Sequence, residues 1–309
     1  MRKPSDLLLS SGSRALIDRR SLIKAAGVIG LGAAVSPLIV PKPARAASKG
    51  GHLKMGSSQG STTDSVEPGT YENGFTIMIS YTAQGKLTIV GPDNKLHGDL
   101  AESWEGSDGA KKWVLKLRKA EFHNGKPVRA ADVIASLNYH RGDASKSAAK
   151  PIMTNVKDIT ADGDSTVIVE LNSGNADFPY ILTDYHLAIC MAGADGKIDW
   201  NDDGGRAGPY QLKEYNPGVR ALFVKATNHW NPEIGHLDSA EALTIADVTA
   251  RQNALLTGEF DLIDRPDGHT GDMLKCGANL SVEENCGGRC HGFTMFCDNK
   301  PFDNNDWRL

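Results

Sequence analysis

The amino-acid sequence predicts a mixed α/β fold, and the arrangement of its strands and helices is the main reason. Short strands occur as hairpins in one part of the chain, whereas a strand–helix–strand unit occurs in another, and this combination is typical of mixed α/β domains. The chain has 309 residues, of which 40% are hydrophobic, with 33 glycines and 14 prolines. That composition is typical of a folded protein rich in turns, and the length allows two ordinary domains or one large one.

The first 46 residues have the pattern of an export signal. Arg19 and Arg20 precede a mild apolar run over residues 25–40, and a small-x-small cleavage site ends at Ala46. These features predict a twin-arginine signal peptide over residues 1–46, with cleavage after Ala46. A transmembrane anchor is the alternative, but a run of about 16 residues is shorter than the roughly 20 that a spanning helix needs. No cysteine lies near the cut, so we expect a soluble periplasmic protein without a lipid anchor.

Charge is distributed unevenly along the chain. The signal segment carries eight Lys or Arg residues and two acidic residues, which leaves 26 basic and 36 acidic residues in the remainder. A mature protein with a net charge of −10 is a poor candidate for binding nucleic acid or an anionic membrane surface.

The mature chain begins with a predicted strand over residues 52–55 and a polar loop. This loop contains the G-x-S-x-G pattern centred on Ser58, which in hydrolases lifts a nucleophilic serine onto a sharp turn between a strand and a helix. The residues that follow show no helical run, so a flexible loop is favoured over a nucleophile. Residues 86–90 and 95–96 flank Gly-Pro-Asp-Asn and are predicted to form a hairpin.

Residues 100–140 form the most regular stretch of the sequence. It reads as a loop carrying Trp104, followed by an alternating strand over residues 113–118. The dipeptide Asn124-Gly125 tolerates positive φ and predicts a tight turn.

An amphipathic helix is predicted from Ala130 onward. Apolar residues fall at helical spacing on one face, and Asp132 and Ser136 are expected to face away from the core.

Further strands and one helix complete the α/β pattern. The predicted elements are a hairpin of residues 156–160 and 166–171, a hairpin of residues 210–212 and 221–225, a strand over 243–245, a helix over 248–256 and a strand over 260–263.

Two patterns suggest metal sites, and neither is complete. Asp199 to Gly204 match the first half of a calcium loop, but the twelfth position holds Tyr210 instead of a glutamate, which favours an acidic surface loop. Cys286, Cys290, His291 and Cys297 are potential zinc ligands with unusual spacing. In an oxidising compartment disulfides or free thiols are the default, and five cysteines leave at least one unpaired. We therefore expect no active site, metal or cofactor.

Several blocks of the sequence closely resemble one family, in that family's order and over nearly all of the mature chain. The blocks are Leu100-Ala101-Glu102-Ser103-Trp104, Trp113-x-Leu115-x-Leu117-Arg118, Phe122-His123-Asn124-Gly125, Ala131-Asp132-Val133, Gly208-Pro209-Tyr210-x-Leu212, Asn228-His229-Trp230, residues 249–261 and Pro301-Phe302-Asp303. They resemble the extracellular solute-binding proteins of the peptide/nickel type, the oligopeptide/dipeptide-binding family that serves ABC importers.

This resemblance implies a periplasmic-binding-protein-like bilobed fold, of type II and the peptide-binding cluster, with the ligand clasped between two lobes. Residues 47–290 would form lobe I, and residues 291–309 would begin lobe II. Nearly all of lobe II and a returning C-terminal segment would then be missing, so we expect this chain alone to bind peptides weakly or not at all.

The sequence also departs from the family pattern at three places. Arg129 stands where the family usually has a Thr or Ser that can cap the helix. Arg206-Ala207 interrupts a run of small residues before Gly208, and the cysteine cluster lies in a strand that normally passes between lobes.

The function implied by the resemblance is that of the periplasmic substrate-binding component of an ABC importer. Such a protein captures peptides or similar small solutes and delivers them to the permease and ATPase subunits in the inner membrane. The twin-arginine export machinery would be a further partner. By family position, the candidate ligand-binding residues are Ser61, Thr62, Thr63, Asp64, Ser65, Tyr185, His186 and Tyr210. The alternative is an exported hydrolase using Ser58, or a zinc enzyme using Cys286, Cys290 and Cys297.

Overall fold

The computed structural model describes residues 49–268, 274, 280–283 and 300. The predicted signal with Arg19, Arg20 and Ala46, and the cysteine cluster Cys286, Cys290 and Cys297, lie outside the described residues. The strands are β1 (His52–Ser57), β2 (Thr88–Val90), β3 (Leu96–Gly98), β4 (Ala101–Ser107), β5 (Lys112–Leu117), β6 (Val156–Ala161), β7 (Thr166–Leu171), β8 (Tyr210–Asn216), β9 (Arg220–Lys225), β10 (Ser239–Thr244) and β11 (Leu262–Ile263). The α-helices are α1 (Gly74–Ala83), α2 (Ala130–Tyr139), α3 (Lys150–Met153), α4 (Phe178–Ile181) and α5 (Val248–Leu256). None of these helices is long and apolar enough to cross a membrane.

A five-stranded sheet has the order β11-β1-β10-β9-β8. Strand β1 lies in parallel between β10 and β11, whereas β8, β9 and β10 form an antiparallel meander. The predicted hairpin of residues 210–212 and 221–225 is confirmed, and so is the helix over residues 248–256. The flanking strand predictions are shifted, because β10 begins at Ser239 and β11 is only two residues long.

Helix α1 packs on this sheet and has no counterpart among the predicted elements. Phe75 and Ile79 are fully buried and pack with Phe223 of β9 in one apolar cluster. The Asn73 side chain starts the helix, since it accepts hydrogen bonds from the backbone N–H groups of Phe75 and Thr76 at 3.0 and 3.2 Å. This capping stabilises α1, which contains several β-branched residues with a low preference for the helical conformation.

The end of α1 contacts Gly208 so closely that we expect a side chain there to destabilise the protein. A Cβ on Gly208 would overlap backbone atoms of Ala83 and lie 2.6 Å from the backbone nitrogen of Gln84. Since backbone atoms cannot turn away, Gly208→Ala should lower the free energy of unfolding by about 1–3 kcal/mol in urea titrations. Gly268→Ala is the matched control, because nothing lies within 4 Å of its Cβ position. Equal stability of the two variants would contradict this packing.

A four-stranded antiparallel sheet has the order β4-β5-β7-β6 and carries the larger apolar core. Leu115, Val167 and Val169 are fully buried, and the predicted alternation of residues 113–118 and the hairpin of β6 and β7 are confirmed. The loop predicted around Trp104 is instead strand β4, paired along β5. Most of β4 is exposed on both faces, so its sequence lacks the alternation that predicts a strand. The predicted hairpin of β2 and β3 is also confirmed.

Helix α2 begins at Ala130 as predicted, but Asp132 and Ser136 do not face solvent. They are 7% and 0% exposed. The Asp132 carboxylate accepts from the backbone N–H of Ala192 at 2.8 Å, and Ser136 exchanges hydrogen bonds with the backbone of Cys190. The prediction was wrong because residues 190–192, distant in sequence, cover the second face of the helix.

The N-terminus of α2 lacks a side-chain cap, so a substitution that supplies one should stabilise the protein. Arg129 at the cap position makes no capping hydrogen bond, although the Asp132 carboxylate already accepts from its backbone N–H at 2.9 Å. Arg129→Thr should complete the reciprocal box and raise the free energy of unfolding by about 0.5–1 kcal/mol, measured in urea. Arg129→Ala is the control without a capping oxygen. If Thr is no more stable than Ala, the proposed cap does not form.

Candidate functional site

The parallel part of the five-stranded sheet places three loops at one edge. Strands β10, β1 and β11 run in the same direction, so their carboxyl ends lie together. The segments that follow them are residues 58–67, 245–247 and 264–268. In open α/β sheets, ligands bind in the crevice outside the carboxyl ends of the strands. We call this edge, with its three loops, the carboxyl edge.

Arg251 of α5 holds two of these loops from inside. Its side chain is 2% exposed. Its guanidinium donates to the carbonyl oxygens of Ile245 and Ala246 at 2.6 and 3.2 Å, and to those of Asp264 and Arg265 at 3.3 and 3.0 Å. This single cation therefore fixes the residues that follow β10 and β11.

Asp264 links the third loop to the same group. Its carboxylate accepts the backbone N–H of Ser58 at 2.6 Å and the Ser58 hydroxyl at 2.8 Å, and it lies 3.7 Å from Arg251 Nε. The Ser58 hydroxyl is therefore engaged in holding the loop to β11, and residues 58–67 form no helix. Both observations match a loop at a strand exit and not a nucleophile elbow.

The predicted residues Ser61 to Ser65 lie at the carboxyl edge. Asp64 accepts from the backbone N–H of Ser61 at 2.8 Å and from the Asn73 side chain at 2.7 Å, so its two oxygens tie the loop to the start of α1. Thr62 and Thr63 are exposed, whereas Ser61, Asp64 and Ser65 are half-buried. The threonines thus present their side chains to solvent on a loop whose backbone is held by Asp64.

The predicted pair Tyr185 and His186 lies beside α1 and the segment that precedes it. His186 is buried, with Nε2 donating to the Tyr71 carbonyl at 2.9 Å and Nδ1 lying 2.6 Å from an Asp184 oxygen. Burial raises the pKa of Asp184, but the hydrogen bonds from His186 outweigh it and leave that pKa below its ordinary value. Tyr185 is half-buried, with its ring centroid 4.1 Å from that of His186. His186 therefore holds the backbone at Tyr71 in place, and the Tyr185 side chain is the more accessible of the two to solvent.

Tyr210 lies at the end of the strands that is opposite the carboxyl edge. It pairs with Lys225 at the start of β8, whereas Asn216 pairs with Arg220 next to the carboxyl edge. Seven residues at about 3.3 Å each separate the two ends of β8 by roughly 20 Å. The Tyr210 hydroxyl accepts from the backbone N–H of Leu237 at 3.1 Å. The structure therefore does not bring Tyr210 together with residues 61–65.

The acidic segment of residues 199–204, which includes the start of a 3-10 turn at Asp203–Gly205, makes its hydrogen bonds within the protein. Asp202 caps that turn by accepting from the backbone N–H of Gly204 at 2.9 Å, and Asp203 pairs with the buried Arg206. Among the described residues, no three His, Cys, Asp or Glu side chains are grouped so that they could hold a metal ion.

Sequence reasoning assigned no role to the residues that hold the carboxyl edge in place. Arg251 lies in one of the family-like blocks, which was the available signal, but its partners follow two different strands. Gln59 accepts from the backbone N–H of Gly74 at 2.8 Å, and nothing in its surroundings in sequence predicts that contact.

Comparison with known proteins places the chain in a family. The model of the bacterial extracellular solute-binding proteins, family 5 (middle part), matches residues 95–309, which is most of the chain. The chain belongs to this family. The resemblance drawn from the sequence blocks is thereby confirmed.

Individual relatives are distant and longer. The glutathione-binding protein GsiB of Escherichia coli strain K12 is 26% identical over 215 residues, which are 68% of this chain and 42% of GsiB. The chain thus spans less than half the length of that curated relative.

Solved structures confirm the periplasmic-binding-protein fold class. The periplasmic binding protein AgaA from A. tumefaciens R10, in complex with agropinic acid, has a TM-score of 0.69 at 25% identity, covering 74% of this chain and 46% of AgaA. A nickel ABC transporter protein from Bacillus halodurans has a TM-score of 0.66 at 24% identity, covering 82% of this chain and 51% of that protein.

Proposed function

We propose that this protein is the substrate-binding component of an ABC importer, which captures a peptide or similar small solute and delivers it to the permease and ATPase subunits. Membership of the family is the observation that carries the proposal. Named relatives bind such solutes: glutathione for GsiB, agropinic acid for AgaA and the peptide STSA for DppA of Helicobacter pylori. The protein acts by binding and release and has no catalytic role.

The solute binds at the carboxyl edge, over residues 61–65 and beside Tyr185. In support, Thr62 and Thr63 are exposed on a loop whose backbone Asp64 holds in place, as a binding loop requires. Residues 47–290 form lobe I, and residues 291–309 begin lobe II. Closure is a hinge motion stabilised by contacts that the solute makes with both lobes.

Export by the twin-arginine route completes the proposal. Arg19 and Arg20 direct the folded precursor to that machinery, and cleavage after Ala46 releases a periplasmic protein. Replacing both arginines by lysine should leave the precursor uncleaved in the cytoplasm, which cell fractionation measures. Unchanged export would show that another signal is used.

The binding site can be tested by NMR, which detects weak binding. The mature protein is titrated with glutathione, agropinic acid and short peptides while backbone amide shifts are recorded. We expect at least one ligand to shift the amides of residues 61–65 and 185, and Thr62→Trp to weaken that ligand about tenfold by blocking the loop.

Thr154→Trp is the matched control, because Thr154 is also exposed but follows α3, beside the four-stranded sheet. It should bind as the parent does. Shifts confined to residues outside the carboxyl edge, or equal weakening by both tryptophans, would refute the assigned site. Absence of binding by all of the ligands would refute the assigned site on this chain, but not the solute class, because this chain alone is expected to bind peptides weakly or not at all.

A further inference from the structure

A groove of about 660 Å³ lies at the junction between the four-stranded sheet and the end of β9. Its walls come from residues 117–121 at the end of β5, residues 127–129 before α2, the β6–β7 turn and residues 228–230. Residues 228–230 follow Lys225, the residue of β9 that pairs with Tyr210. The groove therefore lies toward the end of the five-stranded sheet that is opposite the carboxyl edge. Its volume falls in the range that small-molecule sites occupy.

Cationic side chains outnumber acidic side chains in the lining of the groove. Arg118, Lys119 and Arg129 contribute three positive charges, against Glu121 and Asp164. Lys119 makes no hydrogen bond or ion pair with any residue in the part of the chain that the structure describes. The Arg129–Asp164 pair is long, at 3.8 Å, and both side chains are largely exposed, so it neutralises Arg129 only weakly. A net positive groove on an acidic protein attracts anions.

One of these cations is held rigidly. The Arg118 guanidinium lies 3.6 Å from the ring centroid of Trp230, and it donates to the carbonyl oxygens of Asp99 and Gly98. Trp230 is itself fixed, since its indole N–H donates to the buried Asp99 carboxylate at 2.9 Å. A stacked, hydrogen-bonded guanidinium loses little freedom when it binds an anion.

Another cation stands where helix stability would favour a different residue. Arg129 is the cap residue of α2, and it leaves the side-chain half of the capping box empty. A Ser or Thr there would stabilise the helix. Residues that break a local rule without compensation in the fold occur preferentially at functional sites.

We propose that this groove is a second ligand site, which takes a small organic anion through the cations Arg118, Lys119 and Arg129. The recognised group is a carboxylate or a phosphate, since guanidinium and ammonium groups form charge-assisted hydrogen bonds with both. The site is independent of the solute site at the carboxyl edge, so the two proposals fail or succeed separately.

Isothermal titration of the mature protein with citrate, succinate and inorganic phosphate, at constant ionic strength set by chloride, tests the proposal. We expect saturable binding of at least one anion. Binding by citrate or succinate alone would assign the groove to carboxylates, and binding by phosphate alone would assign it to phosphates. Lys119→Gln and Arg129→Thr should each weaken it about tenfold. Arg129→Thr is informative because it should at the same time make the fold more stable, so lost binding cannot result from unfolding.

Lys116→Gln is the control. Lys116 is an exposed residue of β5 outside the groove lining, so this substitution removes the same charge without changing the groove. It should retain the parent affinity. Equal weakening by all three substitutions would show a general charge effect, and absence of saturable binding by any of the anions would refute the site.

Discussion

Arg251→Leu should lower the free energy of unfolding by about 3–5 kcal/mol, which is the size of loss seen when one partner of a buried ion pair is removed. The substitution leaves the carbonyl oxygens of residues 245, 246, 264 and 265 without their donor, and it leaves the Asp264 carboxylate without its cation. Urea titration followed by circular dichroism measures the effect.

A second readout concerns the carboxyl edge. Since Arg251 fixes the loops after β10 and β11, its loss should also increase hydrogen exchange of residues 245–247 and 264–268 before global unfolding. Arg251→Lys should fall between the parent and Leu, because an ammonium cannot reproduce the planar fork of donors.

Arg220→Leu is the matched control for the buried arginine. Arg220 also pairs with acidic residues, Glu214 and Glu241, but its side chain is 35% exposed, so its loss should be far smaller. Equal losses for the two arginines would refute the assigned role of Arg251.

Acid should destabilise the protein through His140, at the end of α2. The ring is fully buried, and its Nδ1 lies 2.6 Å from the Ser147 hydroxyl. Burial first, and then the nearby His186, lowers the pKa of His140 from 6.5 to about 4. The unfolded chain therefore binds a proton between pH 6.5 and 4 that the folded protein does not bind.

The contribution of the neutral His140 ring to the free energy of unfolding is thus complete above pH 6.5 and is lost as the pH falls toward 4. The loss approaches about 3 kcal/mol, from about 1.4 kcal/mol per unit of pKa difference. Urea titrations at several pH values measure it, and His140→Gln should flatten the profile because a neutral amide does not titrate.

His123 and His229 add to the acid loss in the same direction, because burial also lowers their pKa values. The difference between parent and His140→Gln isolates the contribution of one ring. His236→Gln, at an exposed position, is the control substitution. If His140→Gln and the parent lose stability in parallel, His140 does not carry the effect.

Local patterns in the sequence determined the hairpins, the helix α5 and the family. Turn dipeptides such as Asn124-Gly125 and the alternation of residues 113–118 act over a few residues, so the sequence carries them without reference to the rest of the chain. Residues 61–65 were suggested as ligand-binding only by their position relative to the family, and that role stays a prediction.

Only the tertiary structure decided which strands are neighbours and which polar groups are buried. Strand β1 lies between β10 and β11, whose residues follow it by more than 180 positions, as the hydrogen bond from Gly51 to Asp238 illustrates with a separation of 187. Asp132, Arg206 and Arg251 have the charge of surface residues but are buried, and hydrogen bonds to backbone groups compensate for their burial. The partners of Arg206 and Arg251 lie 3 to 14 positions away, whereas Asp132 accepts from Ala192, which is 60 positions away. Such long-range pairings depend on the packing of the whole domain, and no local pattern encodes them.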